Sequence, residues 1–179
     1  MKDDTGSTAT ILIVRGKQVE GLILGDSSVY VFENGVIIKK ITGPGLNDEA
    51  VRARVVSNGG KVFRDLYSGR VVWRMLNEAE TNGLMIASGL GDFGFKGIDR
   101  LGEPVKFELK DGQTLVVATD GLDSDIGKED LEWIFKKATT DSKGDLQTTA
   151  DLIASRVFQA SKMKLPGTPD DIALIMYQP

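Results

Sequence analysis

Residues 115–125, LVVATDGLDSD, form an apolar run that ends abruptly in a short acidic turn. The apolar part has the length and β-branched content of a buried strand. Asp120 and Gly121 follow this run directly, and Asp123 and Asp125 come soon after. Asp120 therefore marks the point at which a central strand of a sheet meets solvent.

A second acidic pair lies directly before the last apolar run of the chain. Asp170 and Asp171 precede IALIMY, residues 172–177. If this run is an antiparallel neighbour of the strand that ends before Asp120, all of these carboxylates lie at the same edge of a sheet. Carboxylates brought together in this way repel one another and favour a cation between them. Oxygen ligands without histidine or cysteine favour Mg²⁺ or Mn²⁺.

The same acidic pattern has a simpler interpretation, and spacing alone leaves both open. Asp-Gly after a strand is common turn chemistry. Asp123 or Asp125 would then cap the helix that follows. Under this interpretation the aspartates have a structural role only.

The composition limits the chemistry that the chain can perform. The 179 residues are enough for one compact domain, and we expect a single domain over residues 1–179. There is no cysteine and no histidine, which excludes disulfides, thiolate or imidazole metal sites, and serine–histidine triads. Catalysis would have to use carboxylates, basic side chains, hydroxyls, backbone groups or metal ions bound through oxygen.

Charge and hydropathy indicate which partners to expect. A formal net charge of -4 argues against nucleic acid as a partner, because nucleic-acid-binding proteins concentrate positive charge. No apolar run approaches the ~20 residues of a membrane helix, so we expect no membrane partner. The first residues, MKDDTGSTAT, are acidic and polar and do not resemble a secretory signal. We therefore expect a cytoplasmic or nuclear protein.

The pattern of short apolar runs and helical stripes predicts an α+β fold. The first forty residues predict strands, with a two-residue hairpin turn at Asn34-Gly35. A helix should follow, capped by Asn47 and ended by Gly59-Gly60. Residues 61–80 predict irregular or short-stranded structure, and residues 83–88 predict a buried strand.

The second half of the chain predicts a hairpin and two helices before the last strand. Residues 105–110 and 113–119 should pair across a turn at Asp111-Gly112. Helices should cover residues 128–139 and 146–161, since apolar residues recur there at helical spacing. In the first of these helices the apolar face consists of Leu131, Ile134, Phe135 and Ala138.

Six segments of the chain resemble, in the same order, the PP2C-type metal-dependent protein serine/threonine phosphatases. The segments are TGSTATILIV, GLILGDSSVYVF, DEAVRARVVSNGGKVF, GLMIASGLGDFGFK, LVVATDGLDSD and TPDDIALIMY, and they cover nearly all of the chain. The resemblance implies two facing antiparallel β-sheets flanked by helices, with a metal centre at one end of this sandwich. It also implies a phosphoprotein substrate.

The resemblance implies a reaction in which two Mg²⁺ or Mn²⁺ ions hold a water that attacks a phosphoserine or phosphothreonine. That reaction needs no covalent enzyme nucleophile, which agrees with the lack of cysteine. Asp120 and Gly121 match the family's metal-binding Asp-Gly motif, and Asp170 matches the metal-binding aspartate of its closing motif. Asp171 stands where asparagine is usual, and Asp123 is one place away from a third-metal aspartate.

Further residues are candidates for a supporting or substrate-binding role. Asp92 matches the family's Leu-Gly-Asp-Phe segment, which implies a position beside the metal site, and a tight turn is the alternative. Arg64, Arg70 and Arg74 could line a phosphopeptide surface, because guanidinium matches phosphate geometry. The alternative for these arginines is an ordinary solvated face. No residue is assigned as catalytic.

The chain also departs from the family pattern. An early acidic ligand and an Asp-Gly-His-Gly-Gly segment normally precede the family's Gly-Ser-Thr-Ala strand, and here only MKDD does. The resemblance therefore implies an N-terminally truncated family domain with part of the metal shell missing. Two hypotheses follow: a phosphatase domain with little or no turnover by itself, or an inactive fold that serves as a binding or regulatory module. A coincidental α+β domain is the third alternative.

Overall fold

A computed structural model describes residues 5–67, 70–164 and 169–179. Within these residues the helices are α1 (Glu49–Ser57), α2 (Lys128–Asp141) and α3 (Leu146–Lys164), with a 3₁₀ turn at Asp120–Leu122. The strands are β1 (Gly6–Ser7), β2 (Ala9–Arg15), β3 (Gln18–Leu24), β4 (Ser28–Glu33), β5 (Val36–Thr42), β6 (Lys61–Tyr67), β7 (Arg70–Leu76), β8 (Gly83–Leu84), β9 (Leu90–Gly91), β10 (Glu103–Glu108), β11 (Gln113–Ala118) and β12 (Leu174–Tyr177). The α+β class predicted from the sequence is confirmed.

The chain divides into two compact units. Unit 1 consists of Met1–Leu12, Gly21–Ser27 and Thr42–Val105. Unit 2 consists of Ile13–Glu20, Ser28–Ile41 and Lys106–Pro179. None of the helices in the described part of the chain is long and apolar enough to cross a membrane.

Unit 2 is built on a four-stranded sheet with the order β12-β11-β4-β5. β11 pairs antiparallel with β4 on one side and with β12 on the other, so that Ala118 faces Ser28 and Leu174. The residues of β4 and β11 are almost all buried, as their unbroken apolar runs require. The last strand and β11 are thus antiparallel neighbours, which is the condition that a shared acidic edge requires.

The hairpin between β4 and β5 has the predicted turn. Asn34 has φ 51° and Gly35 has φ 82°, so both central residues have positive φ. This is the requirement of the two-residue turn that suits the twist of antiparallel strands, and Asn-Gly meets it at the lowest steric cost.

The helices α2 and α3 bury their apolar faces in the core of unit 2. The four residues predicted for the apolar face of α2 are all buried, which confirms that interpretation. The ring of Phe32 in β4 stacks on that of Phe135 in α2, with centroids 3.8 Å apart. The remaining buried members of this core are Tyr30, Val116, Ala118, Leu122, Ile126, Leu131, Ile134, Ala138, Ile153 and Val157.

Unit 1 contains a three-stranded sheet with the order β6-β7-β8, together with α1. The helix begins one residue later than predicted, because its N-cap is Asp48 and not Asn47. The Asp48 Oδ1 atom accepts a hydrogen bond of 2.8 Å from the Ala50 backbone N–H. The core of this unit consists of Leu46, Val51, Val55, Met75, Ala87, Phe95 and Ile98.

Residues 61–76 are more regular than the sequence predicted. β6 and β7 pair antiparallel, with Lys61 facing Leu76. The Arg74 Nε atom lies 2.8 Å from the Asp65 carboxylate in the neighbouring strand. Such charged residues on a partly solvated sheet obscure the alternation by which strands are recognised in a sequence. The buried strand predicted for residues 83–88 is only partly right, since β8 covers just Gly83–Leu84.

The hairpin predicted for residues 105–119 is wrong. β10 belongs to a sheet with the order β10-β3-β2, whereas β11 belongs to the four-stranded sheet of unit 2. The turn at Asp111-Gly112 is present, and Gly112 has φ 80°. An Asp-Gly turn reverses the chain in the same way whether the two strands pair with each other or with other neighbours.

Truncation of the core-facing Leu131 to alanine should destabilise unit 2. Leu131 is 1% exposed on α2, and we expect a loss of about 2–5 kcal/mol in the free energy of unfolding. The matched control is Trp133→Ala on the same helix, since Trp133 is 65% exposed and its loss should cost about 0.5 kcal/mol or less. Urea unfolding followed by circular dichroism measures both, and equal losses would contradict the packing described.

Candidate metal centre

The residues after β11 and those before β12 are held together by Thr119. The Thr119 backbone N–H donates to the Ala173 carbonyl at 3.0 Å. Its hydroxyl donates to the Asp171 carbonyl at 3.2 Å and accepts from the Ala173 N–H at 3.0 Å. The β11–β12 pairing thus continues past the ends of the strands, and it brings the segments of Asp120 and Asp170 to one edge of the sheet.

Gly121 is required at this edge because the two segments approach closely. A Cβ atom at position 121 would lie 2.4 Å from the Asp171 carbonyl oxygen, well inside van der Waals contact. Gly121 is buried in the 3₁₀ turn that follows Thr119. The glycine of the Asp-Gly motif therefore has a steric role that stands independently of any metal.

The aspartates of the two motifs take part in different local hydrogen bonds. The Asp120 backbone carbonyl accepts hydrogen bonds from the Asp123 and Ser124 N–H groups at 3.1 and 2.9 Å, which fixes the 3₁₀ turn. Asp170 is exposed, and its Oδ1 atom accepts from the Asp171 N–H at 2.9 Å. The metal-binding roles of Asp120, Gly121 and Asp170 stay predictions.

Asp123 is neutralised by a lysine. The Lys40 Nζ atom lies 2.5 Å from the Asp123 Oδ2 atom, and it also lies 5.5 Å from the centroid of the Tyr30 ring. Neither Asp123 nor Asp125 caps α2, whose N-cap is Gly127. The capping interpretation is therefore wrong for both residues, and an ammonium group already provides the positive charge at Asp123.

Tyr30 lies beneath this acidic turn and is fully buried. Burial raises the pKa of its hydroxyl above the ordinary value, and the neighbouring Asp123 and Asp120 carboxylates raise it further. The hydroxyl makes no hydrogen bond of standard geometry, so its interaction with these carboxylates is mainly electrostatic. The Tyr30 hydroxyl is consequently protonated at neutral pH.

The described residues do not by themselves fit a complete two-metal centre. In residues 5–67, 70–164 and 169–179, no group of three or more acidic side chains is arranged to hold a metal ion. Mg²⁺ demands near-octahedral oxygen coordination and keeps its waters when few carboxylates are present. Asp120 and Asp170 could supply at most part of such a coordination shell, and a complete shell would need ligands beyond the described residues.

Asp92 occupies a turn in unit 1. It is 3% exposed and has φ 51°, and its N–H donates to the Thr5 carbonyl at 3.0 Å. Its carboxylate packs against Gly6, where a Cβ atom would lie 1.9 Å from Asp92 Oδ2. β1 and β9 pair antiparallel at this point, with Gly6 facing Gly91. These contacts support the structural alternative for Asp92.

The three candidate arginines of unit 1 do not share one face of their sheet. Arg64 faces Trp73 across the β6–β7 pair, whereas Arg74 faces Phe63 and Arg70 faces Tyr67. Successive residues of a strand point to opposite faces, so Arg64 lies on the opposite face from Arg70 and Arg74. Arg74 is also bound to Asp65 and donates to the Gly83 carbonyl at 3.2 Å. A role for these arginines in phosphate binding stays a prediction.

Comparison with known proteins identifies the family. The family model described as protein phosphatase 2C matches residues 1–159, most of the chain. The chain belongs to the protein phosphatase 2C family. The assignment to this family, predicted from the sequence, is confirmed. Members of the family generally use Mg²⁺ or Mn²⁺.

Among curated relatives, protein phosphatase 1G from Homo sapiens and from Bos taurus is 26% identical over 163 residues, which cover 84% of this chain. The chain spans only 28% of the length of these relatives.

Among solved structures of this fold, a C. elegans sex determining protein superimposes with a TM-score of 0.75 at 22% sequence identity. The superposition covers 97% of this chain and 40% of that one. Serine-threonine phosphatase 2C from Toxoplasma gondii superimposes with a TM-score of 0.70 at 17% sequence identity, covering 96% of this chain and 57% of that one. These likenesses confirm the protein phosphatase 2C fold.

Removal of the Thr119 hydroxyl should loosen the edge that joins the two acidic segments. Thr119→Val leaves the Ala173 N–H without its acceptor, and we expect a loss of about 1 kcal/mol in the free energy of unfolding. Thr140→Val is the matched control, because that hydroxyl donates only to the Lys136 carbonyl of its own helix. The control should change stability by about 0.5 kcal/mol or less in the same urea titration. A Thr119→Val loss no larger than the control would contradict the role of this hydroxyl.

Removal of the Lys40 ammonium should make Asp123 available to a divalent cation. In Lys40→Met the Asp123 carboxylate loses its ion-pair partner beside Asp120, and we expect tighter Mn²⁺ binding than in the unchanged chain. The matched control is Lys39→Met, because the Lys39 ammonium lies 5.4 Å from the Phe107 ring centroid and pairs with no carboxylate in the described residues. Titration calorimetry with MnCl₂ measures both variants. Equal Mn²⁺ affinities in the two variants would contradict the interpretation of Lys40 as the counter-ion at this position.

Proposed function

We propose that this chain is a phosphoprotein phosphatase domain, specific for phosphoserine or phosphothreonine, in which Asp120 and Asp170 hold part of a metal centre. The observation that carries the proposal is the continuation of the β11–β12 pairing through Thr119, which brings both aspartate segments to one sheet edge. Mg²⁺ or Mn²⁺, when bound, would supply an activated water and charge stabilisation for attack on phosphorus. We further propose that residues 1–179 belong to one family domain.

Residues of the chain would provide metal ligands at this centre and would allow the two segments to lie close together. Asp120 and Asp170 would provide carboxylate oxygens, and Gly121 would allow the backbones that carry them to approach. Asp171 follows Asp170 directly and Asp123 lies three residues after Asp120, but Asp123 is paired with Lys40. Since the described residues supply too few donors, the chain by itself should show little or no turnover.

A second candidate function is a binding or regulatory module that keeps the family fold without catalysis. The observation that favours it is the Lys40–Asp123 ion pair, because an ammonium group of the chain itself neutralises a carboxylate near the candidate metal ligand Asp120. Under this proposal the partner is a regulatory protein. Under the first, it is a phosphoprotein substrate.

Metal binding by the purified chain separates these proposals. If Asp120 and Asp170 are metal ligands, titration calorimetry with MnCl₂ should show weak binding, in roughly the millimolar range expected for a site with few carboxylates. Asp120→Asn and Asp170→Asn should each abolish it. The matched control is Asp151→Asn, an exposed aspartate of α3 that accepts a hydrogen bond from Gln147 and should leave binding unchanged.

Hydrolysis of para-nitrophenyl phosphate with Mn²⁺ should match a buffer blank for this chain. Clear turnover that Asp120→Asn abolishes would contradict the inactive-module proposal and establish catalysis by the chain alone. Mn²⁺ binding that survives both Asp120→Asn and Asp170→Asn would contradict the assignment of these residues as ligands.

A further inference from the structure

Asparagine is followed by glycine at three places in the chain, Asn34-Gly35, Asn58-Gly59 and Asn82-Gly83. This dipeptide has a reactivity of its own, because glycine has no side chain to shield its backbone nitrogen. The nitrogen can attack the side-chain amide carbon of the asparagine before it and close a five-membered succinimide ring. The fold holds the three pairs in three different environments, and these environments decide how readily each pair reacts.

The pair Asn82-Gly83 lies where the loop after β7 enters β8. The Gly83 backbone N–H donates to the Asn82 Oδ1 atom at 2.9 Å, so the attacking nitrogen lies directly beside the amide group that it would attack. Ring closure is favoured when the reacting atoms are held about 3–3.5 Å apart. Asn82 is also exposed, so water reaches its side chain and ammonia can leave.

The buried side chain of Asn77 holds the loop around Asn82 in place. The Asn77 Oδ1 atom accepts hydrogen bonds from the Thr81 and Asn82 N–H groups at 2.9 and 3.2 Å. The Asn77 backbone N–H donates to the Asn82 carbonyl at 3.1 Å. Both backbone polar groups of Asn82 are therefore fixed, and its side-chain amide stays next to the Gly83 nitrogen. Such positioning removes part of the entropic cost of ring closure.

The other two pairs are protected by the fold. At the end of α1, the Gly59 N–H donates to the Val56 carbonyl at 2.9 Å, and this hydrogen bond has to break before the nitrogen can attack. Asn34 has φ 51° in the turn between β4 and β5. The turn packs on α2, since a Cβ atom at Gly35 would lie 2.9 Å from the Lys136 Cβ atom. Ring closure there would have to rotate a peptide out of a tightly packed turn.

We propose that Asn82 is a site of spontaneous deamidation. The Gly83 nitrogen gives up its proton to water and forms a bond to the Asn82 Cγ atom, while the Cγ–Nδ2 bond breaks and ammonia leaves. Water then opens the succinimide at either of its two carbonyl carbons, which gives aspartate or isoaspartate at position 82. Water is the only co-reactant. The site shares no residue with the candidate metal centre and is independent of the proposed phosphatase function.

The isoaspartate product would change the pairing of β7 with β8. In isoaspartate the chain runs through Cγ, which adds a methylene to the main chain and leaves a free carboxylate. This insertion lies directly before the pair formed by Leu76 and Gly83. The Gly83 carbonyl also accepts a hydrogen bond from the Arg74 Nη1 atom at 3.2 Å. Deamidation should therefore displace β8 and disturb the contacts of Arg74, one of the candidate phosphopeptide-binding residues.

Peptide mapping of the full chain by mass spectrometry tests the proposal. Trypsin cleaves after lysine and arginine and releases the three pairs in separate peptides, residues 18–39, 55–61 and 75–96. The chain is incubated at neutral pH, both folded and in enough urea to unfold it, and the conversion of each asparagine to the acid is followed over time. In the folded chain Asn82 should react about fivefold faster than Asn58, the factor that corresponds to one net hydrogen bond at Gly59. In urea the three rates should be similar.

A substitution at the attacking residue provides the control. Gly83 does not have positive φ, and a Cβ atom there would lie 3.3 Å from the flexible Arg74 side chain, so alanine fits with a small shift. Gly83→Ala should slow the reaction at Asn82, because its methyl group hinders attack, and should leave Asn58 unchanged. Two outcomes would overturn the proposal: a rate at Asn82 no higher than at Asn58 in the folded chain, or a ratio of folded to unfolded rate at Asn82 no higher than at Asn34.

The effect on β8 has a separate readout. Asn82→Asp introduces the carboxylate without lengthening the main chain, and it should change the melting temperature little, since Asn82 is exposed. Incubated chain in which isoaspartate has accumulated should melt at a lower temperature than this variant. Equal melting temperatures would contradict the proposed displacement of β8.

Discussion

The pairing of β11 with its two neighbours is the constraint on which the rest of unit 2 depends. β11 is hydrogen-bonded on both sides, to β4 and β12, and its side chains are almost all buried. A slip of one residue in this register would turn every apolar side chain to the opposite face. The register also decides which polar residues meet beyond each end of the strand. The acidic edge at Asp120 is a direct consequence of this pairing.

Much of this architecture could be predicted from the sequence where the signal was local. The apolar period of α2 and the Asn34-Gly35 turn each specify a conformation within a few residues, and the structure has both. The pairing of β11 with β12 could be stated from the sequence only as a condition for a shared acidic edge, and the structure meets that condition. The paired strands β6 and β7 were missed because charged residues such as Arg74 and Asp65 interrupt the alternation that identifies a strand.

The sequence-based predictions of strand pairing and of side-chain partners are wrong or incomplete where they depend on residues far apart in the sequence. The turn at Asp111-Gly112 was recognised, but no local signal shows that β10 and β11 have different partners. At the candidate metal site, too, the local sequence does not show which distant residues come into contact. The aspartates could be recognised from their motifs, whereas Lys40 lies 83 residues from Asp123 in the sequence and belongs to no motif. Whether a carboxylate faces a metal ion or an ammonium is decided by tertiary structure.

The core of unit 2 is built from apolar packing and contains none of the candidate metal ligands. This core is a continuous apolar cluster that includes Tyr30 and Phe32 from β4, Val116 from β11 and residues of both helices. Small metal-dependent domains, by contrast, obtain their folding free energy from the ion itself. At the acidic edge, Lys40 provides a cation that belongs to the chain, and Thr119 joins the segments through hydrogen bonds. The contacts that hold this unit together are therefore distinct from the Asp120 and Asp170 carboxylates that we propose as metal ligands, so a change confined to those carboxylates should leave the fold intact.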